Sequence, residues 1–327
     1  MLTGIFAGIM WALETVVLGI ALAMSPMVST EEAVLLAPFA ATFLHDAFSA
    51  VYMLIYNALR GGLKGFFAVF KSKTALWLVL SSAMGGPIGM TGYVLAVNCL
   101  GASVGAVASA VYPAVGTVLA WLFLKEKTKW YQWIFLVLTL LGVYGLSYSP
   151  SVGGGNFVLG IVGAFMCAFG WGIEAVILAK CLKDTELKDE YALGIRQAVS
   201  ATIYGVILLP VMGGWRMTAG LFTGGEVKLL LTVAAAALCA TVSYLFYYRA
   251  IGKLGAAKAM ALNITYTAWA ILFTVILLRD LSVLNPMTLI CSAVIVVCGV
   301  CAATDMMWLK QAPVFRQESG ENLPSRT

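Results

Sequence analysis

Two carboxylates sit where a charge is hardest to hold, inside long apolar runs. Glu14 follows Trp11 by three residues, and Glu174 follows Trp171 at the same spacing. Positions i and i+3 share a helix face, so each acid has an indole beside it. The carboxylate supplies charge and the ring face supplies cation–π attraction, a pairing that suits a cation poor in hydrogen-bonding groups. The competing reading is a structural acid paired with a base or hydroxyl on a neighbouring helix. Lys180 and Lys183, one or two turns from Glu174, give it more weight there.

His45, the single histidine, and Asp46 are adjacent in another apolar run. They read as a proton site or a second site for a cation, or else as a hydrogen-bonded clamp between helices. Sequence neighbours point about 100° apart on a helix, so the two are not expected to face each other. Tyr93, Tyr112, Tyr266 and Trp269 lie deep in their runs, and Tyr244, Tyr247 and Tyr248 add three more rings in a single run. Trp130, Tyr131 and Trp133 instead open a run, where aromatic residues form an interfacial belt. Tyr93, Tyr112, Tyr266 and Trp269, with Trp11 and Trp171, are the candidate rings of a cage for a quaternary ammonium group.

Other chemistry is absent from the sequence. There is no phosphate-binding glycine loop, dinucleotide fingerprint or nucleophile elbow, and Gly153-Gly154-Gly155 reads as a turn. The seven cysteines lack metal-ligand spacing and read as small buried hydrophobes. No metal or cofactor is expected. His45 and Asp46 have no third catalytic partner at recognisable spacing, which leaves a membrane-embedded transferase as a remote alternative.

The elements that carry these residues follow from composition. Of 327 residues, 61% are hydrophobic and 11% charged, against about 25% charged in a soluble domain. Mean hydropathy is +0.95. A soluble globule, a disordered chain and a nucleic-acid binder are excluded, and an all-α polytopic membrane protein remains. Ten spans are predicted, at about 3–24, 33–58, 74–98, 102–124, 130–148, 156–180, 191–212, 227–251, 256–278 and 286–304. The first is read as a retained helix: it lacks a basic leader and holds Glu14. Very short joints are expected at Gly101 and Gly252–Gly255.

Basic residues cluster after every second span: Arg60 to Lys73, Lys125 to Lys129, Lys180 to Lys188, Arg249 and Lys253, then Lys310, Arg316 and Arg326. Only Arg216, Lys228 and Arg279 lie at the opposite ends. The positive-inside rule then puts both termini in the cytoplasm. Arg196 and Lys258 fall within spans and are expected to snorkel or pair, which leaves a base-poor interior. Glu126 beside Lys125, and Asp280 beside Arg279, read as surface ion pairs. The polar tail, 306–327, reads as a disordered cytoplasmic end.

The chain repeats itself. Trp11-Ala12-Leu13-Glu14 returns as Trp171-Gly172-Ile173-Glu174, and at an offset of 154 Leu100-Gly101-Ala102 returns as Leu254-Gly255-Ala256. The latter offset also pairs Tyr93 with Tyr247, Tyr112 with Tyr266 and Glu126 with Asp280. Two halves, 1–150 and 151–305, would each hold five spans. An odd number inverts the second half, the arrangement of transporters that bind cargo near the midplane between repeats.

The run Ala108-Ser109-Ala110-Val111-Tyr112-Pro113, then Leu122-Phe123-Leu124-Lys125-Glu126 and Gly142-Val143-Tyr144-Gly145, resembles the drug/metabolite transporter superfamily of the EamA type. In the second half, Leu277-Leu278-Arg279-Asp280 has aspartate for glutamate, and Thr267 stands for Pro113. The resemblance implies a fold of ten transmembrane helices in two inverted repeats, with spans five and ten outside a central cavity. Gly89 to Val97, Tyr112 to Gly116 and the Trp-x-x-acid stretch of span one further resemble choline uptake transporters of the LicB type. That resemblance implies choline import across a bacterial inner membrane. The expected partners are thus a choline-like cation and the lipid bilayer, and no nucleic acid. An exporter of amino acids or other metabolites on the same fold is the alternative. It would want an arginine in the cavity for a carboxylate, and the sequence offers none in an evident place.

Overall fold

The computed structural model describes residues 1–147, 156–184 and 187–305, and every regular element among them is helical. Ten long helices are α1 (Leu2–Leu22), α2 (Glu31–Leu59), α3 (Thr74–Leu100), α4 (Ala102–Leu124), α5 (Trp130–Ser147), α6 (Phe157–Asp184), α7 (Asp189–Met212), α8 (Val227–Leu254), α9 (Ala256–Leu278) and α10 (Pro286–Ala303). Among the described residues, nine are long and apolar enough to cross a membrane, and α4 carries a shorter apolar stretch at Ser109–Leu124. The chain is an integral membrane protein, because helices satisfy their own backbone polar groups in lipid. Gly153-Gly154-Gly155 and the tail 306–327 lie outside the described residues.

The helix ends have local causes. The Thr30 hydroxyl accepts from the Ala33 amide at 3.0 Å and starts α2, and the Asn285 carboxamide accepts from Thr288 at 3.0 Å ahead of Pro286. The joints at Gly101 and Gly255 turn at φ 94° and 88°, a region open to glycine. At the other ends of the helices they begin, Lys125 and Arg279 both take left-handed geometry, at φ 55° and 54°. Each pair is 154 residues apart, so the sequence offset extends to backbone conformation.

Helix packing has the same symmetry. α1 packs on α8 and α3 on α6; α4 packs on α6 and α9 on α1; α2 meets α7 and α5 meets α10. Exchanging α1–α5 with α6–α10 leaves these pairings unchanged. Two features were not legible as plain spans. Short helices at Leu63–Val69 and Trp215–Thr223 follow α2 and α7. Wider π-helical turns interrupt α3 at Met84–Met90 and α7 at Tyr204–Leu208, and another closes α9 at Thr274–Leu278. In α3 the wide turn contains Pro87, which cannot donate to a normal helical ladder.

Candidate functional site

A cavity of about 310 Å³ lies among α1, α2, α3, α6, α7, α8 and α9. Along α1 its lining runs from Trp11 through Glu14 and Leu18 to Leu22, so it reaches the face where α1 ends. Towards the opposite face it is floored by rings. Trp11, Trp171, Tyr244 and Tyr266 separate it from a pocket of only about 40 Å³ beside Tyr112, Tyr247 and Tyr248.

The rings interlock. Trp11 meets Tyr244 edge-on with centroids 4.8 Å apart, and Tyr266 at 6.3 Å. Trp171 stacks on Tyr93 at 6.1 Å and meets Tyr112 edge-on at 5.8 Å. The Trp171 indole N–H donates to the Gly85 carbonyl at 2.9 Å, and the Asn263 amide donates to the Tyr112 hydroxyl at 3.0 Å. Buried polar tips are thereby satisfied while ring faces remain for contact.

The two Trp-x-x-Glu acids have different fates. Glu14 is 5% exposed and lines the cavity. Its neighbours are the Thr15 hydroxyl at 3.3 Å and His45, whose Nε2 lies 3.7 Å from Oε1. No lysine or arginine reaches it among the described residues. Glu174 instead accepts from Arg196 Nε at 3.0 Å and from the Tyr248 hydroxyl at 3.4 Å. For Glu174 the geometry matches the structural-acid reading, with Arg196 rather than Lys180 or Lys183 as the base.

Arg196 corrects the expectation of a base-poor interior. It is buried in the cavity wall at 5% exposure. Besides Glu174 it donates to Gln197 Oε1 at 2.8 Å and to the Tyr244 hydroxyl at 3.1 Å, and its Nη1 lies 3.5 Å from Asp46 Oδ2. Its guanidinium carbon also stands 4.7 Å from the Tyr244 ring centroid. Of the two expected fates, snorkelling and pairing, Arg196 takes the second, its charge held by two carboxylates. An arginine inside an apolar span was the available signal, by the reasoning already applied to Glu14.

His45 and Asp46 are also closer than helix geometry suggested. Both line the cavity, and Nδ1 of His45 lies 2.9 Å from Asp46 Oδ1. Side-chain rotation brings together groups whose Cβ atoms diverge. The result is a chain from Glu14 through His45, Asp46 and Arg196 to Glu174.

Of the expected rings, Trp11, Tyr93, Trp171 and Tyr266 line the larger cavity, and Tyr112 lines the smaller one. Trp269 lines neither; one turn beyond Tyr266, it has left the cavity level. Tyr244 touches both and belongs with the site. Glu126 and Asp280 are not the expected surface ion pairs. Glu126 accepts from the amides of Ala256 and Ala257, at 3.0 and 3.2 Å, and so caps α9. Asp280 accepts from the Ser282 amide at 2.9 Å. Lys258 pairs with Asp305 at 2.6 Å.

The glycines of α3 explain how α6 comes so close. A Cβ at Gly85 would overlap the Glu174 carboxylate, and one at Gly89 would lie 2.7 Å from Trp171 Cδ1. The Gly85–Gly89 pair therefore receives the second Trp-x-x-Glu motif itself.

Residues 1–148 match the EamA-like transporter family. Protein LicB of Haemophilus influenzae (strain ATCC 51907 / DSM 11121 / KW20 / Rd) is 29% identical over 195 residues, covering 59% of this chain and 63% of that protein. The match thus spans less than two thirds of that relative's length. A solved crystal structure aligns with a TM-score of 0.67 at 17% identity, over 97% of this chain and 98% of the other, a likeness of fold alone.

Proposed function

We propose that the chain, whose residues 1–148 match the EamA-like transporter family, is a secondary transporter bringing a small organic cation, foremost choline, into the cell. The observation that carries this reading is Glu14. It is a buried carboxylate without an arginine or lysine partner among the described residues, in a cavity walled by Trp11, Tyr93, Trp171, Tyr244 and Tyr266. A quaternary ammonium offers no N–H donors, so a nearby negative charge and ring faces are what can bind it. By the positive-inside pattern, both termini lie in the cytoplasm of a bacterial inner membrane, and the cavity opens outward.

Transport then proceeds by alternating access. The cation is neutralised by Glu14, the rings close on its methyl groups, and the repeats 1–150 and 151–305 rock to open the other face. Opening that face separates contacts such as Tyr112 with Asn263 and Glu126 with α9. A negative-inside potential favours entry of a cation by about 2.3 kcal/mol per 100 mV. His45 and Asp46, next to Glu14, are placed for a proton or a second cation.

The amino-acid alternative gains Arg196, a base in the cavity wall. Its donors, however, are already directed at Glu174, Gln197, Asp46 and Tyr244, which leaves little capacity for a substrate carboxylate. The test is uptake into proteoliposomes under a negative-inside potential, with choline, acetylcholine, betaine, a polyamine and several amino acids. Choline accumulation that is lost in Glu14→Gln supports the reading. Silence for choline with movement of an amino acid overturns it.

A further inference from the structure

Outside the cargo path, a groove of about 700 Å³ runs between α3, α4 and α6. Its walls are apolar, formed by Trp77, Leu119, Phe123 and Ile177, and its mouth carries Lys73 and Lys180. Trp77 and Phe123 are 50% and 72% exposed, as befits a surface facing hydrocarbon. Lys180 stands 5.9 Å from the Trp77 ring centroid, and neither lysine has a carboxylate partner among the described residues. We propose that this groove is a seat for one anionic phospholipid, with its phosphate on Lys73 and Lys180 and an acyl chain against Trp77 and Phe123.

Three observations select that occupant. The charge is one-sided: two lysines without a carboxylate partner among the described residues, above a lining that is apolar apart from Thr74 and Cys181. Basic pockets between transmembrane helices on the cytoplasmic side suit anionic headgroups. The dimensions match one leaflet. From Ile173 to Lys180 the groove follows seven residues of α6, a rise of about 10 Å, within the roughly 15 Å half-thickness of the hydrocarbon. A tryptophan next to the lysines marks the level where headgroup meets chain. A second protein helix would instead leave both lysines to be desolvated without a counter-charge.

The seat has a consequence for the transporter. Its back wall, Ile173 and Ile177 of α6, flanks Glu174, which holds Arg196 in the cavity wall. A lipid there bears on the same helix that forms the site, whatever the cargo.

The test is native mass spectrometry of the full chain titrated with an equimolar mixture of phosphatidylglycerol and phosphatidylcholine. Each lysine contributes about fivefold, so the wild type should retain the anionic lipid by tenfold or more. Lys73→Gln and Lys180→Gln should each weaken that preference, and the double variant should abolish it. Both positions are exposed, so folding is retained, and an unchanged melting temperature checks this. Equal retention of both lipids by the wild type overturns the proposal. So does a preference that survives in the double variant, because the lipid then sits elsewhere. A dimer dissolved by Phe123→Ala overturns it too, by showing a second copy of the chain in the groove.

Discussion

Replacing Glu14 with glutamine removes one charge and almost no volume, which makes it the sharpest probe of the site. The nearest base is His45, with Nε2 3.7 Å from the carboxylate, and no arginine or lysine shares the charge among the described residues. A cation whose charge centre sits about 4 Å from that carboxylate gains about 4 kcal/mol at an effective dielectric of about 20. At 1.36 kcal/mol per decade, Glu14→Gln should raise the choline Kd roughly a thousandfold. A single ring is worth less: a cation–π contact contributes about 0.5–2 kcal/mol. Tyr93→Leu should therefore weaken binding by only about two- to thirtyfold. Isothermal calorimetry on detergent-purified protein measures both. Folding should survive Glu14→Gln, because a buried carboxylate with only Thr15 and His45 beside it costs more stability than its amide does. If Glu14→Gln binds choline within tenfold of wild type, or Tyr93→Leu loses more than Glu14→Gln, the carboxylate is not the cation's counter-charge and the reasoning fails.

Three further outcomes follow from the surrounding contacts. Arg196→Met strands two buried carboxylates, Glu174 and Asp46, and should cost about 3–5 kcal/mol of stability; adding Glu174→Gln should recover part of it in a thermal melt. Equal melting of Arg196→Met and wild type would show that the clamp holds nothing. Gly85→Ala drives a methyl group into the Glu174 carboxylate and should lower stability by about 1–3 kcal/mol, whereas Gly220→Ala, with nothing within 4 Å, should melt no lower than wild type. Glu126→Ala frees the amides of Ala256 and Ala257, at about 0.5–2 kcal/mol by analogy with other caps. Hydrogen exchange at those two amides should accelerate, and unchanged exchange would remove Glu126 as the cap of α9.

Much of this was legible because lipid imposes a strict grammar. Apolar length marks the helices, and Gly101 and Gly255 mark the joints, since the sharp turns there need positive φ. Trp11, Glu14, Tyr93 and Tyr266 stood out because a polar or aromatic group deep in an apolar run must find a partner or a cavity. What sequence could not give was pairing across helices. For Arg196 the sequence left snorkelling and pairing open, because its partners Glu174 and Asp46 lie 22 and 150 residues away along the chain. Glu126 looked like a surface ion pair because its acceptor role depends on the start of α9, 130 residues downstream. Local spacing also misjudged His45 and Asp46, whose side chains rotate towards each other although their Cβ directions diverge.

The two Trp-x-x-Glu motifs show how one repeated sequence can divide labour. Nothing in the motif separates Glu14 from Glu174; the difference lies in the helix each one meets. Glu174 lies against Gly85, whose missing side chain makes room for the carboxylate, and Arg196 closes on it from α7. At the 154-residue offset, the counterparts of Gly85 and Gly89 are Cys239 and Ser243 in α8. Ser243 is committed to α1, where its hydroxyl donates to the Ala7 carbonyl at 2.7 Å. With side chains where α3 has none, α8 offers Glu14 no such socket, and no arginine among the described residues approaches it. One acid thereby holds the wall while the other faces the cavity. A perfectly symmetric pair would either clamp both acids, leaving no counter-charge for a cation, or expose both, leaving two uncompensated charges in a low-dielectric site. For the proposed cation site the glycines of α3 therefore matter as much as the rings do, since they let Arg196 hold Glu174 beside the smaller pocket and leave only Glu14 of the two facing the larger one.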